Sequence, residues 1–111
     1  MLYIGNDGVV RLTRGDTARL SVSAINEVTN EPYIFEDGDT LTLTIKKSTK
    51  DTTPLVQKTI TGSNIFSIDP ADTSSLSFGN YKYDVELTTY GGDVYTIIEP
   101  TTFELLQEVT Y

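Results

Sequence analysis

The stretch DPADTSSLSFGNYKYDVELTT, residues 69–89, decides the fold. Its first half is a corner. Asp69 is placed to cap one helical turn, with Pro70 at the first helical position, where a missing N–H costs nothing. Its second half alternates strictly. Tyr81, Tyr83, Val85 and Leu87 fall on one face, and Lys82, Asp84 and Glu86 on the other. That is the pattern of a strand with one buried and one wet face. The stretch therefore reads as one turn of α or 3₁₀ helix near 70–76, followed by a strand over 80–90.

The same period of two runs outward along the chain. TLTLTIKK (40–47) sets Leu41, Leu43 and Ile45 against Thr40, Thr42, Thr44 and Lys46. ARLSVSAI (18–25) sets Leu20, Val22 and Ala24 inward, and FELLQEV (103–109) does the same with Phe103, Leu105 and Val109. Thr occurs 18 times, so β-branched residues are abundant and strand propensity is high throughout. Strands are expected near 2–5, 9–13, 17–26, 33–35, 40–48, 55–61, 65–68, 80–90, 93–99 and 102–109. Turn signals separate them, among them Asn6-Asp7-Gly8, Arg14-Gly15-Asp16, Asp37-Gly38-Asp39, Gly79-Asn80 and Gly91-Gly92-Asp93. Hairpins are expected over 1–13, over 55–68 about Gly62, and over 80–99 about Gly91 and Gly92. Sheets wet on one face and stacked on the other give an all-β, antiparallel β-sandwich of about 7–10 short strands. Residues 1–111 read as a single domain without repeat or linker.

Composition narrows the function. The chain has no Cys, His or Trp. Without Cys there are no disulfides or thiolate metal sites. Without His, the usual nucleophile–base pairs cannot be assembled from this chain. Paired carboxylates remain, but a small all-β domain offers little room for a deep cleft, and no enzyme activity is expected. Sixteen acidic against eight basic residues give a net charge of −8. That balance opposes binding to nucleic acid and to anionic lipid, and favours solubility or a basic partner. MLYIGNDGVV does not read as a signal peptide, and no apolar run approaches the length of a membrane span.

Four features carry site-like residues. Arg14-Gly15-Asp16 spells an adhesion tripeptide, but its flanks are strand-like on both sides. It reads instead as a reversal between strands 9–13 and 17–26, with Gly15 supplying backbone freedom, Asp16 bonding the backbone and Arg14 and Arg19 facing outward. Glu36, Asp37 and Asp39 offer hard oxygens that suit calcium. The alternative there is a tight turn whose Asp side chains bond their own backbone. Tyr90 and Tyr95, flanking Gly91-Gly92, could form a sugar-stacking face, or could simply cover strand surfaces. Lys46-Lys47-Ser48-Thr49-Lys50 is the one basic run; it suits an acidic partner, or guards a strand edge.

Asp69-Pro70, Leu76 and the run Gly79-x-Tyr81-x-Tyr83-x-Val85 resemble the approach to strand F of immunoglobulin-like sandwiches. In that fold a Tyr near the strand start bonds back to the preceding corner, and the resemblance gives Tyr81 this role. Tyr83 stands at an inward position, and the antibody-type Cys pair and Trp are missing. More broadly, RLTRGDTARLSV, TLTLTIKK, IDPADTSSLSFGNYKYDVEL and GGDVYTIIEPTTFELLQEVT resemble small structural proteins of bacteriophages and prophages of Gram-positive bacteria. The resemblance implies an immunoglobulin-like building block of a tail, baseplate or neck. Such a block would be assembled in the bacterial cytoplasm into the virion and contact other virion proteins. Edge strands can pair with another chain and terminal strands are free to exchange, so homo-oligomers are expected through strands 2–5 and 102–109. It implies no cofactor and no catalytic residue. The alternative function is a module for bacterial-surface carbohydrate, using Tyr90 and Tyr95 or calcium at Glu36–Asp39.

Overall fold

The computed structural model describes residues 2–4, 8–26 and 28–107. The chain is mostly β-structure. Its strands are β1 (Leu2–Ile4), β2 (Val10–Thr13), β3 (Ala18–Ser21), β4 (Ile25–Asn26), β5 (Glu31–Pro32), β6 (Thr40–Lys46), β7 (Val56–Thr61), β8 (Ile65–Ile68), β9 (Gly79–Thr88) and β10 (Val94–Leu106), with one helical turn, α1 (Pro70–Thr73). A six-stranded sheet runs in the order β1-β2-β10-β9-β6-β7, and β3 pairs with β8 in a second sheet. A third pairing, β4 with β5, is a short ribbon within the long connection 22–39. No helix among the described residues is long and apolar enough to cross a membrane.

The alternation read from the sequence is the alternation of burial. Leu41, Leu43 and Ile45 of β6 and Tyr81, Tyr83, Val85 and Leu87 of β9 are buried, with Leu41 opposite Leu87, Leu43 opposite Val85 and Ile45 opposite Tyr83. Val10, Leu12, Phe103 and Leu105 extend this face over β2 and β10. Ala18, Leu20, Phe66 and Ile68 of the second sheet join the same core. Tyr83 and Phe103 meet edge to face, with ring centroids 6.2 Å apart. Each fully buried side chain of this kind contributes about 1.5–3 kcal/mol. The outer face of β6 and β7 is a hydroxyl ladder instead, in which Gln57 Nε2 donates to Thr44 Oγ1 at 3.1 Å.

Several expected elements differ. Residues 55–68 are not a hairpin. β7 pairs with β6 and β8 with β3, so the turn at Gly62 carries the chain from one sheet to the other. The turn at Gly15 does likewise between β2 and β3. Period-two patterning shows which face is buried but not which neighbour a strand chooses. The first and last long strands pair in parallel, β2 with β10, so the sheet is not wholly antiparallel. The expected strands 93–99 and 102–109 are one strand, β10. Pro100 falls where its register against β9 shifts, between Ile98 and Thr101. A bulge there absorbs the missing donor without ending the strand. Residues 33–35 form no strand; the chain pairs at 31–32. The expected strand 17–26 is two pieces, β3 at 18–21 and β4 at 25–26, which pair with different partners. Residues 108 and 109 lie outside the described residues, as do 5–7 of the first hairpin, although β1 and β2 do pair antiparallel.

Strand directions gather the connections at two ends. The turns 14–17, 47–55 and 69–78 share one, here called the helix end. The connections 22–39, 62–64 and 89–93 share the other, the loop end.

Candidate functional site

The loop end is organised by one carboxylate. Asp39 precedes β6 and is 4% exposed. It accepts hydrogen bonds from the Tyr33 hydroxyl at 2.6 Å, the Glu36 N–H at 3.0 Å and the Tyr90 N–H at 3.3 Å. The last bond ties the 22–39 connection to the β9–β10 turn. The Glu36 N–H, then the Tyr33 hydroxyl, hold the Asp39 carboxyl below its ordinary value, against the opposing effect of burial. The bond to Asp39, reinforced by burial and the nearby negative charge, pushes Tyr33 up to about 12. Gly38 sits under Tyr90 so closely that a Cβ there would lie 2.4 Å from the ring. Asp93 closes the β9–β10 turn, accepting at its carbonyl from the Thr89 N–H at 2.8 Å, and Gly92 takes φ +92° within it. Gly91 is its exposed neighbour.

On this frame stand exposed apolar side chains: Ile34 at 82%, Tyr90 at 86% and Tyr95 at 55%. A cleft of about 310 Å³ opens beside them, between Val22–Ala24, Pro32–Phe35 and Gly62–Asn64. The structure thus brings the two expected aromatic residues, Tyr90 and Tyr95, to the same end. It does not gather Glu36, Asp37 and Asp39 into a ligand set. Asp39 spends its oxygens on three donors, and no three acidic side chains converge on a cation position among the described residues. Of the two readings of that segment, the turn is the one present: the Asp39 N–H donates to the Glu36 carbonyl at 3.0 Å.

The helix end is held by many ties. Tyr81 Oη donates to the Ser77 carbonyl at 2.5 Å, the bond expected of it. Asp69 and Asp72 cap each other's backbone, and the Asp69 N–H donates to Asp72 Oδ2 at 2.8 Å. Lys58 Nζ lies 2.8 Å from the same oxygen. Burial works to raise the Asp72 carboxyl, but the bond to Lys58, the Asp69 N–H and the Lys58 charge together bring it below its ordinary value. Gly15, at φ +87°, donates its N–H to the buried Thr73 hydroxyl at 3.0 Å, and the Asp16 N–H donates to the Thr13 carbonyl. Arg14 is not the outward charge expected. Its guanidinium donates to the Leu76 carbonyl at 3.1 Å and lies over the Phe78 ring. The tripeptide is docked against the α1 corner. Gly79 begins β9, and Tyr83 Oη donates to the Gly8 carbonyl, fastening the β1–β2 hairpin to the core.

Sequence reasoning missed two features. One is the Tyr33–Asp39–Tyr90 junction, whose members lie 6 and 51 residues apart and have no local signature. The other is a groove of about 420 Å³ on the outer face of the large sheet, floored by Thr42, Thr44, Lys46 and Lys82 and walled by Thr52 and Pro54. It depends on the β6–β9 register, which pairs Lys46 directly with Lys82. Comparison of the chain with family models, curated proteins and solved structures returns no match.

Proposed function

We propose that the chain is an immunoglobulin-like sandwich serving as a non-enzymatic building block of a bacteriophage or prophage particle, acting through protein–protein contacts. Three features support the immunoglobulin-like assignment: β2 parallel to the last strand, the β3–β8 sheet contributing to the same core, and the Tyr81 corner bond. The phage assignment rests on the sequence resemblance. The observation that carries the mode of action is the loop end, where Ile34, Tyr90 and Tyr95 stand exposed on a frame fixed by a buried carboxylate. An exposed apolar patch held in place by its own hydrogen bonds is what a protein interface requires. Contact through the C-terminal strand is not part of the proposal. Within the described residues β10 lies inside its sheet, flanked by β2 and β9, and the open edges are β1, β7 and both strands of the β3–β8 and β4–β5 pairs. Such edges suit pairing with a second chain.

The test is mass spectrometry and immuno-electron microscopy of gradient-purified particles from a host that expresses the chain. Finding it at fixed copy number on one substructure supports the reading. Its absence from particles, while it is abundant in the cell, overturns it.

A second reading, a bacterial-surface carbohydrate module, is favoured by Tyr90 and Tyr95 being exposed at one end. Glycan-array binding lost in Tyr90→Ala would support it. Silence of the folded wild-type chain on the array would remove it.

A further inference from the structure

Positive charge is segregated along the molecule. Residues 20–45, 59–81 and 83–111 contain no Lys or Arg. The loop-end connections 22–39, 62–64 and 89–93 therefore carry acids alone, including Glu31, Glu36, Asp37 and Asp93. At the helix end of the outer face the balance reverses. Lys46 and Lys82 stand directly opposite each other, and Lys47 and Lys50 follow on the exposed 47–55 connection. Like charges set directly across a sheet repel, and an external counter-charge relieves the repulsion. Of the acids of this end, Asp72 is paired with Lys58 and Glu104 with Arg11; Asp16, Asp51 and Asp69 also lie here, but the lysines and arginines outnumber them. Asp84 and Glu86 also line the groove, toward its loop-end side.

We propose that copies of this chain associate head to tail, the acidic, apolar loop end of one docking on the lysine-bearing helix end of the next. Charge complementarity selects a second copy as the occupant, since one chain presents both surfaces at opposite ends. Exposed Ile34 and Tyr90 supply the apolar contact at the joint. Such an interface is heterologous: the same two surfaces meet at every joint, and the series closes into a ring or continues as a filament. The net charge of −8 repels between molecular centres, but the molecule is 46 Å long. At physiological ionic strength the Debye length is about 8 Å, so repulsion between centres is screened while charges meeting at the joint still attract. The inference deepens the building-block reading and rests on it. A chain that binds other virion proteins but never itself would end the inference and leave that reading intact.

Sedimentation velocity of the purified full chain over a concentration series tests it. Species beyond the dimer are expected at about 0.15 M salt, and at least about tenfold weaker association at about 1 M salt, where the Debye length is about 3 Å. Glu36→Lys with Asp37→Lys reverses the loop end; Lys50→Glu with Lys82→Glu reverses the helix end. All four positions are exposed, and a melting curve checks each variant's fold. Each double variant alone should stay monomeric, and an equimolar mixture of the two should associate again, because opposite charges then face each other at every joint. A strict monomer, a closed dimer, or association indifferent to salt in the wild-type chain would overturn the proposal. So would folded variants that associate as the wild type does.

Discussion

The two ends of the molecule are closed by different means. At the helix end, bonds from Tyr81, Arg14, Gly15, Asp72 and Lys58 all converge on residues 69–77. At the loop end, three donors from Tyr33, Glu36 and Tyr90 converge on one carboxylate. The first arrangement is redundant, so losing one bond leaves the others in register. The second is a hub, so losing its centre breaks all three bonds at once. The half-buried Tyr33 hydroxyl then lacks its acceptor, and a donor left so costs more than a made hydrogen bond contributes. The hub end also carries the more exposed apolar side chains, Ile34 and Tyr90 against Leu55 and Phe78 at the helix end, so its one carboxylate fixes both local structure and the presented surface.

The largest effect is expected from Asp39→Ala. It leaves the Tyr33 hydroxyl and the Glu36 and Tyr90 amides without their acceptor. The melting temperature should fall further than for any single side-chain bond broken at the helix end. Hydrogen exchange localises the damage: amides 36 and 90 lose protection while Gly15 and Asp16 keep theirs. Equal loss of protection at both ends would break the comparison.

The same hub sets a pH window. The folded Asp39 and Asp72 carboxyls lie below their ordinary value of 3.8. Their contribution is therefore complete above that value and is lost as pH falls through the lower, folded values. Tyr33 runs the other way. Its pKa rises from 10.0 to about 12 on folding, so its contribution is complete below 10.0 and is lost as pH climbs toward 12. Stability against denaturant, with respect to these three groups, should be flat between the two limits and fall outside them. In Asp39→Ala the main cause of the Tyr33 shift is removed, so the Tyr33 pKa should move back toward 10.0, as the Tyr33 ring NMR shifts followed against pH will read.

At the helix end, Gly15→Val is the severest single change expected. No atom beyond its chain neighbours lies within 4 Å of the Cβ it would gain, so the main cost is the backbone, a β-branched residue held at φ +87°. That amounts to about 1–3 kcal/mol. Denaturant midpoints should fall with the slope unchanged, and Gly15→Asn, which tolerates positive φ better, should cost less. Equal cost for the two would show that the docking on Thr73, rather than the backbone angle, is what the turn supplies.

This contrast also separates what could be read from the sequence. At the helix end, the docking of Arg14 on Leu76, 62 residues away, was not legible. The corner was, because its determinants are local: Asp69-Pro70, Gly79 and Tyr81 lie within 13 residues, as caps and corners do. Core faces were legible for the same reason, since alternation along β6 and β9 needs no knowledge of neighbours. Sheet membership was not. Residues 55–68 have the pattern of a hairpin, yet β7 and β8 part at Gly62 into different sheets. Asp39 looked like one acid among three, and only the approach of Tyr90 from 51 residues away makes it a junction. The Lys46–Lys82 pairing needs a register that neither strand specifies alone.

The smallest effect is expected from Tyr81→Phe, which tests redundancy most directly. The ring stays, so the core contact and the position of Lys47 Nζ, 4.7 Å from the ring centroid, are kept. Only the hydroxyl bond to the Ser77 carbonyl is removed. Ser77 is exposed, so water can replace the lost donor and no buried group is stranded. The other ties to residues 69–77 remain. Loss of stability should be about 1 kcal/mol or less, the net worth of one ordinary hydrogen bond. Amides 73–77 should keep their protection against exchange. If this change instead cost as much as Asp39→Ala, the helix end would itself be a hub centred on Tyr81, and the difference between the two ends would lie only in which residue holds the centre.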